Sequence, residues 1–139
     1  MMDPGTLPGG TFSLGNPINA LGQVVGYSDC LSCNGYHAFL WDNAGMQDLG
    51  VLPGGAHSAA TGLNDFGFVV GETDSAQSRG QVYAFLWTQS DGMRGLGTLP
   101  GGGWSSAVAV NEFGQVVGAS DSAGQCYSWF QAASEWQSY

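Results

Sequence analysis

Apolar and polar residues alternate in short runs along the chain, a pattern typical of β-strands. Residues 105–120, SSAVAV-NEFG-QVVGAS, predict two strands joined by a tight turn, in which Asn caps the turn and Gly adopts a positive φ. The apolar run YAFLW at 83–87 predicts a third, well-buried strand, and MRGLGTL at 93–99 predicts a fourth. Because no segment shows the 3.6-residue period of an amphipathic helix, we predict an all-β protein.

This four-strand pattern occurs three times. Two motifs mark it at steps of 45 and 47 residues: L-P-G-G begins at Leu7, Leu52 and Leu99, and N-x-x-G-x-V-V-G begins at Asn19, Asn64 and Asn111. We therefore expect a single repeat domain over residues 1–139, with repeat units 1–45, 46–92 and 93–139. In this frame we expect the chain to begin inside a unit, at its fourth strand.

Four antiparallel strands in roughly 46 residues fit two architectures. The first is the β-propeller, built from four-stranded blades, and the alternative is the β-trefoil, which closes with three similar repeats. The unit itself favours propeller-like blades, since it consists of two hairpins in series. Closed propellers have about four to eight blades, so three blades cannot form a ring. A propeller would therefore need a homodimer of this chain, or further blades that are missing from it.

Composition narrows the range of partners. The chain has 11 acidic residues against 2 basic ones, and its net charge is −9. Such a surface repels phosphate backbones and anionic lipids, so we expect neither nucleic acid nor a membrane surface as a partner. No run approaches the roughly 18 apolar residues of a membrane-spanning helix.

Several residues together resemble one known family. The run His37-Ala38-Phe39-Leu40-Trp41 is followed by M-Q-D-L-G at 46–50, and the N-x-x-G-Q-V-V-G hairpin accompanies it in the first and third units. This combination resembles the HAF repeat family, a set of bacterial repeat proteins expected to be extracellular. The resemblance covers essentially the whole chain, but Tyr83 and Tyr127 stand where His37 would recur, and S-W-F replaces A-F-L in the third unit.

The family resemblance implies a propeller-like fold, export and a binding or structural role, with no established activity and no catalytic residues. It implies an extracellular or cell-surface location. Residues 1–8 have neither the basic nor the apolar region of a signal peptide, so we expect any export signal to lie outside this chain.

A planar ring follows each Gly-Gly pair at equivalent positions, namely Phe12, His57 and Trp104. In a repeat array these side chains would lie on one face, where aromatic rings can stack on a carbohydrate or another flat ligand. The alternative is that each ring covers the apolar crossing between units. We take Phe12, His57 and Trp104 as the candidate ligand-binding residues, for a carbohydrate or a protein.

The three cysteines have several interpretations. Cys30 and Cys33 form C-x-x-C in a polar loop, and Cys126 occupies the same loop of the third unit. They can be free structural thiols, or Cys30 and Cys33 can form a disulfide if the protein is exported. Together with His37 they give three zinc ligands, one fewer than a structural site uses, so we expect no metal and no other cofactor.

The aspartates that follow each V-V-G motif, Asp29, Asp74 and Asp121, are interpreted as turn caps rather than calcium ligands, because the D-x-D-x-D spacing is absent. No recognised catalytic motif occurs. We therefore predict a non-enzymatic binding or structural module. Two alternatives stay open: a trefoil-like carbohydrate-binding module, and a glycan-active hydrolase or lyase domain on a propeller that uses His57.

Overall fold

The structure is a computed structural model, and it describes residues 2–132 and 135–138. Over these residues the chain forms strands and turns. In chain order the strands are β1 (Ser13–Ile18), β2 (Val24–Asp29), β3 (Tyr36–Asp42), β4 (Gly45–Gly50), β5 (Ser58–Leu63), β6 (Val69–Thr73), β7 (Tyr83–Thr88), β8 (Gly92–Gly97), β9 (Ser105–Val110), β10 (Val116–Ser122), β11 (Gln125–Ala132) and β12 (Glu135–Ser138).

Consecutive strands pair antiparallel in three separate four-stranded sheets: sheet 1 (β1–β4), sheet 2 (β5–β8) and sheet 3 (β9–β12). The all-β prediction is confirmed, and the separate antiparallel sheets are consistent with blade-like repeats. A trefoil would require hydrogen-bonded strands from different repeats, which this pairing does not contain among the described residues. No helix in the described part of the chain is long and apolar enough to cross a membrane.

The boundaries of the sheets along the chain differ by one strand from those of the predicted repeat units. The run that begins at Met46 pairs with the strand before it, with Met46 opposite Trp41, so β4 completes sheet 1. Sheets 1 and 2 therefore cross the unit boundaries at 45/46 and 92/93, whereas sheet 3 lies within the unit 93–139. Residues 2–6, expected to belong to a fourth strand, form no strand.

The sheets stack face to face in chain order. The first strand of sheet 2, β5, contacts both β1 of sheet 1 and β9 of sheet 3, whereas the outer strands β4 and β8 barely touch. The stack is therefore closest at the first strands, as in the blades of a propeller. One apolar cluster lies between sheets 1 and 2 and a second between sheets 2 and 3.

The V-V-G motif and the aromatic strand account for this core together. The two valines point to opposite faces: Val69 joins the cluster shared with sheet 1, and Val70 the cluster shared with sheet 3. Gly71 lies opposite Phe85 in the register, and a Cβ on Gly71 would overlap the Ala59 carbonyl oxygen of the neighbouring strand and press into the Phe85 ring. The glycine therefore leaves room for a fully buried aromatic side chain.

We call the edge of the stack that carries the N-x-x-G turns the lower edge. Each turn is closed by a glycine at positive φ, for example Gly67 at +79°. The turns are linked: the Asn19 side-chain amide donates to the Asn64 carbonyl at 3.0 Å, and the Asn64 amide donates to the Asn111 carbonyl at 2.9 Å. Equivalent asparagines thus fix the alignment of successive sheets.

Candidate functional site

The opposite edge, which we call the upper edge, carries the L-P-G-G loops. The loop at 52–55 leads from the outer strand of sheet 1 to the first strand of sheet 2, and it is closed by a bond from the Gly55 amide to the Leu52 carbonyl at 2.9 Å. A Cβ on Gly55 would overlap the carbonyl oxygen of Asp74, so only glycine permits this approach. The loop therefore lies directly against the aspartate of the following hairpin.

One aspartate holds each of these loops. The Asp74 carboxylate accepts hydrogen bonds from the backbone amides of Ala56 at 2.7 Å and His57 at 2.8 Å. Asp29 makes the same pair of bonds to residues 11 and 12, and Asp121 to residues 103 and 104. These aspartates are thus caps, as interpreted, but each caps the loop 17–18 residues before it rather than its own turn.

Two of these carboxyls are held in the charged form. Backbone and hydroxyl donors, led by the Phe12 amide and the Thr11 side chain, lower the pKa of Asp29. Burial opposes ionisation of Asp74, but the bonds from His57 and Ala56 outweigh it and lower its pKa as well. Neither carboxyl is suited to donate a proton at neutral pH.

Phe12 and His57, two of the predicted ligand-binding residues, belong to a continuous row of rings. Phe12 lies 6.0 Å from Tyr27 between ring centroids, Tyr27 lies 5.0 Å from Tyr36, and Tyr36 meets His57 edge-on at 4.7 Å. We call Phe12, Tyr27, Tyr36 and His57 the aromatic row. It follows the upper edge of sheet 1 and reaches sheet 2.

The aromatic row is open to solvent. Phe12 is 52% exposed and Tyr36 is 40% exposed, while Tyr27 and His57 are half-buried. The backbone at Gly35 lies so close to the His57 ring that a Cβ there would collide with it. The glycine therefore lets His57 pack next to Tyr36. The row therefore presents a line of tilted, partly solvated rings rather than a buried cluster.

Trp104 occupies the equivalent position on sheet 3, and Asp121 holds its amide in the same way. Among the described residues, no ring-to-ring contact joins it to the aromatic row. The structure thus brings together two of the three predicted residues and leaves the third alone on the next loop.

The charge around the row is negative. Burial, followed by the charges of Glu72 and Asp74, raises the pKa of Tyr36, so its hydroxyl stays protonated and can donate a hydrogen bond. Such a surface disfavours anionic ligands. Neutral, hydroxyl-rich ligands and cationic ligands suit exposed aromatic rings beside carboxylates.

Sequence reasoning missed Tyr27 and Tyr36. Both break the repeat, since Glu72 and Val82 stand at the corresponding places in the second unit. In the sequence, the signal that could have identified these two tyrosines was their departure from an otherwise regular repeat. Their contact with each other depends on the β2–β3 register, which places Asp29 opposite Tyr36.

The cysteine loop lies on the same edge. Cys30 and Cys33 are joined by a disulfide, with 5.1 Å between their Cα atoms, which is within the ordinary range for such bonds. The disulfide is thus one of the predicted alternatives that the structure bears out. Cys126 is a free, exposed thiol.

Comparisons of the chain with protein-family models, curated proteins and solved structures find no match. The resemblance to the HAF repeat family therefore rests on the repeated residues themselves and stays a prediction.

Proposed function

We propose that this protein is a non-catalytic, extracellular repeat module of the HAF type, whose upper edge binds a carbohydrate or a protein. The aromatic row carries the proposal. Four neighbouring rings, tilted relative to one another, offer a continuous, partly exposed aromatic surface on which planar groups of a ligand can stack against individual rings. The Tyr36 hydroxyl and the neighbouring carboxylates add hydrogen-bonding groups around it.

The state of the upper-edge carboxyls supports a non-catalytic role. Glycoside hydrolysis commonly uses two carboxyl groups, one of which is a general acid with a raised pKa. Asp29 and Asp74 have lowered pKa values and are bonded to loop amides. Their bonds give them a structural role in positioning the rings.

The exposed faces at the two ends of the stack support docking to further blades. Val25 and Val70 are fully buried under the sheet that follows, whereas their repeat equivalent Val117 is 43% exposed. On the outer face of sheet 1, Ile18 is 66% exposed, while its equivalent Leu63 packs against the core. Side chains that are buried between sheets elsewhere are thus uncovered at both ends.

The outer face of sheet 1 also forms an apolar groove of about 720 Å³, whose larger side chains are those of Met2, Pro4, Ile18, Leu21, Val24 and Trp41. Its occupant, in this proposal, is another blade of the same repeat. That blade comes either from a second copy of the chain, as in a dimer-closed propeller, or from further blades in the same protein.

Ligand binding is tested with a glycan array, followed by titration of any hit. We expect Tyr36→Ala to weaken binding at least about tenfold, because it removes the middle of the stacking surface. Phe113→Ala is the matched control, since Phe113 is an equally prominent exposed ring on the lower edge, 84% exposed. Equal losses from both variants, or no loss from Tyr36→Ala, would contradict a binding role of the aromatic row.

Docking of blades is tested by light scattering over a concentration series. A stable particle with the mass of two 14.4 kDa chains, converted to monomer by Val117→Asp, would support a second copy. A monomer at every concentration would contradict the two-chain ring.

A second candidate, a hydrolase or lyase, is favoured by one contact. The Nδ1 atom of His57 lies 3.4 Å from the second Asp74 oxygen, an arrangement that can orient a histidine base. Polysaccharide turnover that is abolished by His57→Ala and kept by Phe113→Ala would support this candidate over the binding module.

A further inference from the structure

The cysteine loop of sheet 1 collects four metal-binding side chains. Ligand atoms of Cys30, Cys33, His37 and Asp48 all lie within 4.8 Å of one another. The sequence offered only the first three, because Asp48 follows them on the next strand and is brought alongside by the β3–β4 pairing. The fourth ligand needed for a tetrahedral site is thus supplied by the fold.

We propose that the reduced form of this loop is a zinc site, in which Cys30, Cys33, His37 and Asp48 are the four ligands. The disulfide and the zinc site are alternative states of one pair of cysteines. Two thiolates with an imidazole favour Zn²⁺ over Mg²⁺ or Ca²⁺, which prefer oxygen ligands alone.

The distances suit a tetrahedral ion. With ordinary zinc bond lengths, a nitrogen and an oxygen ligand lie about 3.4 Å apart and two sulfurs about 3.8 Å apart. The Nδ1 atom of His37 lies 3.0 Å from both Asp48 oxygens, so these two groups need to separate only slightly. The sulfurs need only move apart once their bond is reduced, because both cysteines belong to one tight turn closed by a 3.2 Å backbone bond.

The surroundings also orient the ligands. The Gly50 amide donates to Asp48 Oδ1 at 2.7 Å, which fixes the carboxylate and leaves Oδ2 for the ion. The His37 side chain is only 17% exposed, whereas that of Asp48 is 40% exposed. The site is therefore partly shielded and has an entry path on the side of Asp48.

Comparison with sheet 2 shows that the fold does not need these residues. The corresponding turn there is formed by Ser75 and Ser78, closed by the same backbone bond at 3.1 Å, with Tyr83 in the place of His37 and Gly95 in that of Asp48. All four ligands are thus replaced together in a sheet that forms the same strands. A purely structural role in the repeat does not explain why they occur as a set.

Exchange between the two states requires a thiol reductant. Two electrons and two protons from the reductant break the sulfur–sulfur bond and give two cysteine thiols and the oxidised reductant. Zinc binding then displaces the two thiol protons, so the pair becomes two thiolate ligands while His37 binds as the neutral ring. In the reverse direction, a disulfide oxidant takes two electrons from the two thiolates and becomes two thiols after taking up two protons, so that the Cys30–Cys33 bond forms again and the ion is released.

The test is a zinc titration of the full chain in the Cys126→Ser background, which removes the free exposed thiol. After reduction, and against a chromophoric chelator, we expect one zinc per chain, bound tighter than about 1 µM, with release of about two protons per ion at pH 7. The oxidised chain should bind no zinc at this affinity. Cobalt in place of zinc should give the absorption of a tetrahedral thiolate complex.

Two variants follow substitutions that sheet 2 already tolerates. Cys30→Ser with Cys33→Ser should abolish zinc uptake, and His37→Tyr should weaken it at least about tenfold, while near-ultraviolet circular dichroism shows that both variants are folded. Failure of the folded, reduced parent to bind zinc would overturn the proposal. Equal uptake by the double serine variant would also overturn it, because it would locate the ion on the acidic surface.

Discussion

The bond between equivalent asparagines offers a direct test of how the sheets are held together. Asn64 is 2% exposed, and its Oδ1 accepts from the amides of Phe66 and Phe68 while its Nδ2 donates to the Asn111 carbonyl. Substitution Asn64→Asp keeps the acceptor for the turn and removes only the donor to the next sheet. It also places a carboxylate beside a carbonyl oxygen in a buried position.

Asn111→Asp is the matched control. Asn111 has the same local bonds, to the amides of Phe113 and Gln115, but it is exposed and its side-chain amide reaches only the Gln115 side chain. A lost hydrogen bond costs about 1 kcal/mol, and burial of an unpaired charge adds to this. We expect Asn64→Asp to lower the free energy of unfolding by about 2–4 kcal/mol at pH 7, and Asn111→Asp by less than about 1 kcal/mol.

Urea melts at several pH values measure both effects. The carboxyl introduced at position 64 keeps the two turn amides, which favour its charged form, but nearly complete burial and the facing Asn111 carbonyl oppose that charge. We expect the latter two to dominate and to raise its pKa above the unfolded value, so the folded state binds more protons and stability falls as pH rises. The cost of Asn64→Asp, relative to the parent, should therefore shrink as the pH is lowered from 7 towards about 4. If the two variants lower the free energy of unfolding by amounts that agree within about 0.5 kcal/mol at pH 7, the role of the inter-sheet bond is refuted.

Three further predictions concern the core, the disulfide and the upper edge. Phe85→Ala should lower the free energy of unfolding by about 3–5 kcal/mol, because Phe85 is fully buried between sheets 1 and 2. A decrease below about 1 kcal/mol in a denaturant melt would contradict a core role for Phe85. Reduction of Cys30–Cys33 should cost at most about 2 kcal/mol, because the closed loop is short; a larger difference between melts with and without reductant would contradict this. Asp74 has a lowered folded pKa, so its contribution to stability is present above its ordinary pKa of 3.8 and is lost as pH falls below it. In thermal melts, the melting temperature should therefore fall less on acidification for Asp74→Asn than for the parent. The exposed Asp91→Asn variant should fall as much as the parent.

Much of the fold was predictable because the sequence patterns of the strands and turns recur along the chain. The tight turns followed from Asn and Gly at fixed spacing, and the buried strand from YAFLW. The assignment of the run at Met46 to its sheet was not predictable in the same way. Repeat spacing alone does not show which strand is the first of a unit. The pairing of Met46 with Trp41 shows that this run is the last strand of sheet 1.

The candidate sites were predicted less completely for a related reason. Phe12, His57 and Trp104 share one repeat position, so periodicity places them on one edge. Contacts that join different strands, such as Tyr27 with Tyr36, depend on register rather than on spacing along the chain. The same holds for His37 and Asp48, which are 11 residues apart in sequence and 3.0 Å apart in space.

The linked turns of the lower edge give the stack a polarity. In each link between these turns, the donor belongs to the earlier sheet and the acceptor to the later one: the Asn19 side chain donates to the Asn64 carbonyl, and the Asn64 side chain donates to the Asn111 carbonyl. Two identical end faces brought together would oppose donor to donor or carbonyl to carbonyl. Copies of this chain can therefore continue the pattern only head to tail, in a heterologous contact. Such contacts lead either to a closed ring or to an open filament, and the angle between neighbouring sheets decides which of the two forms.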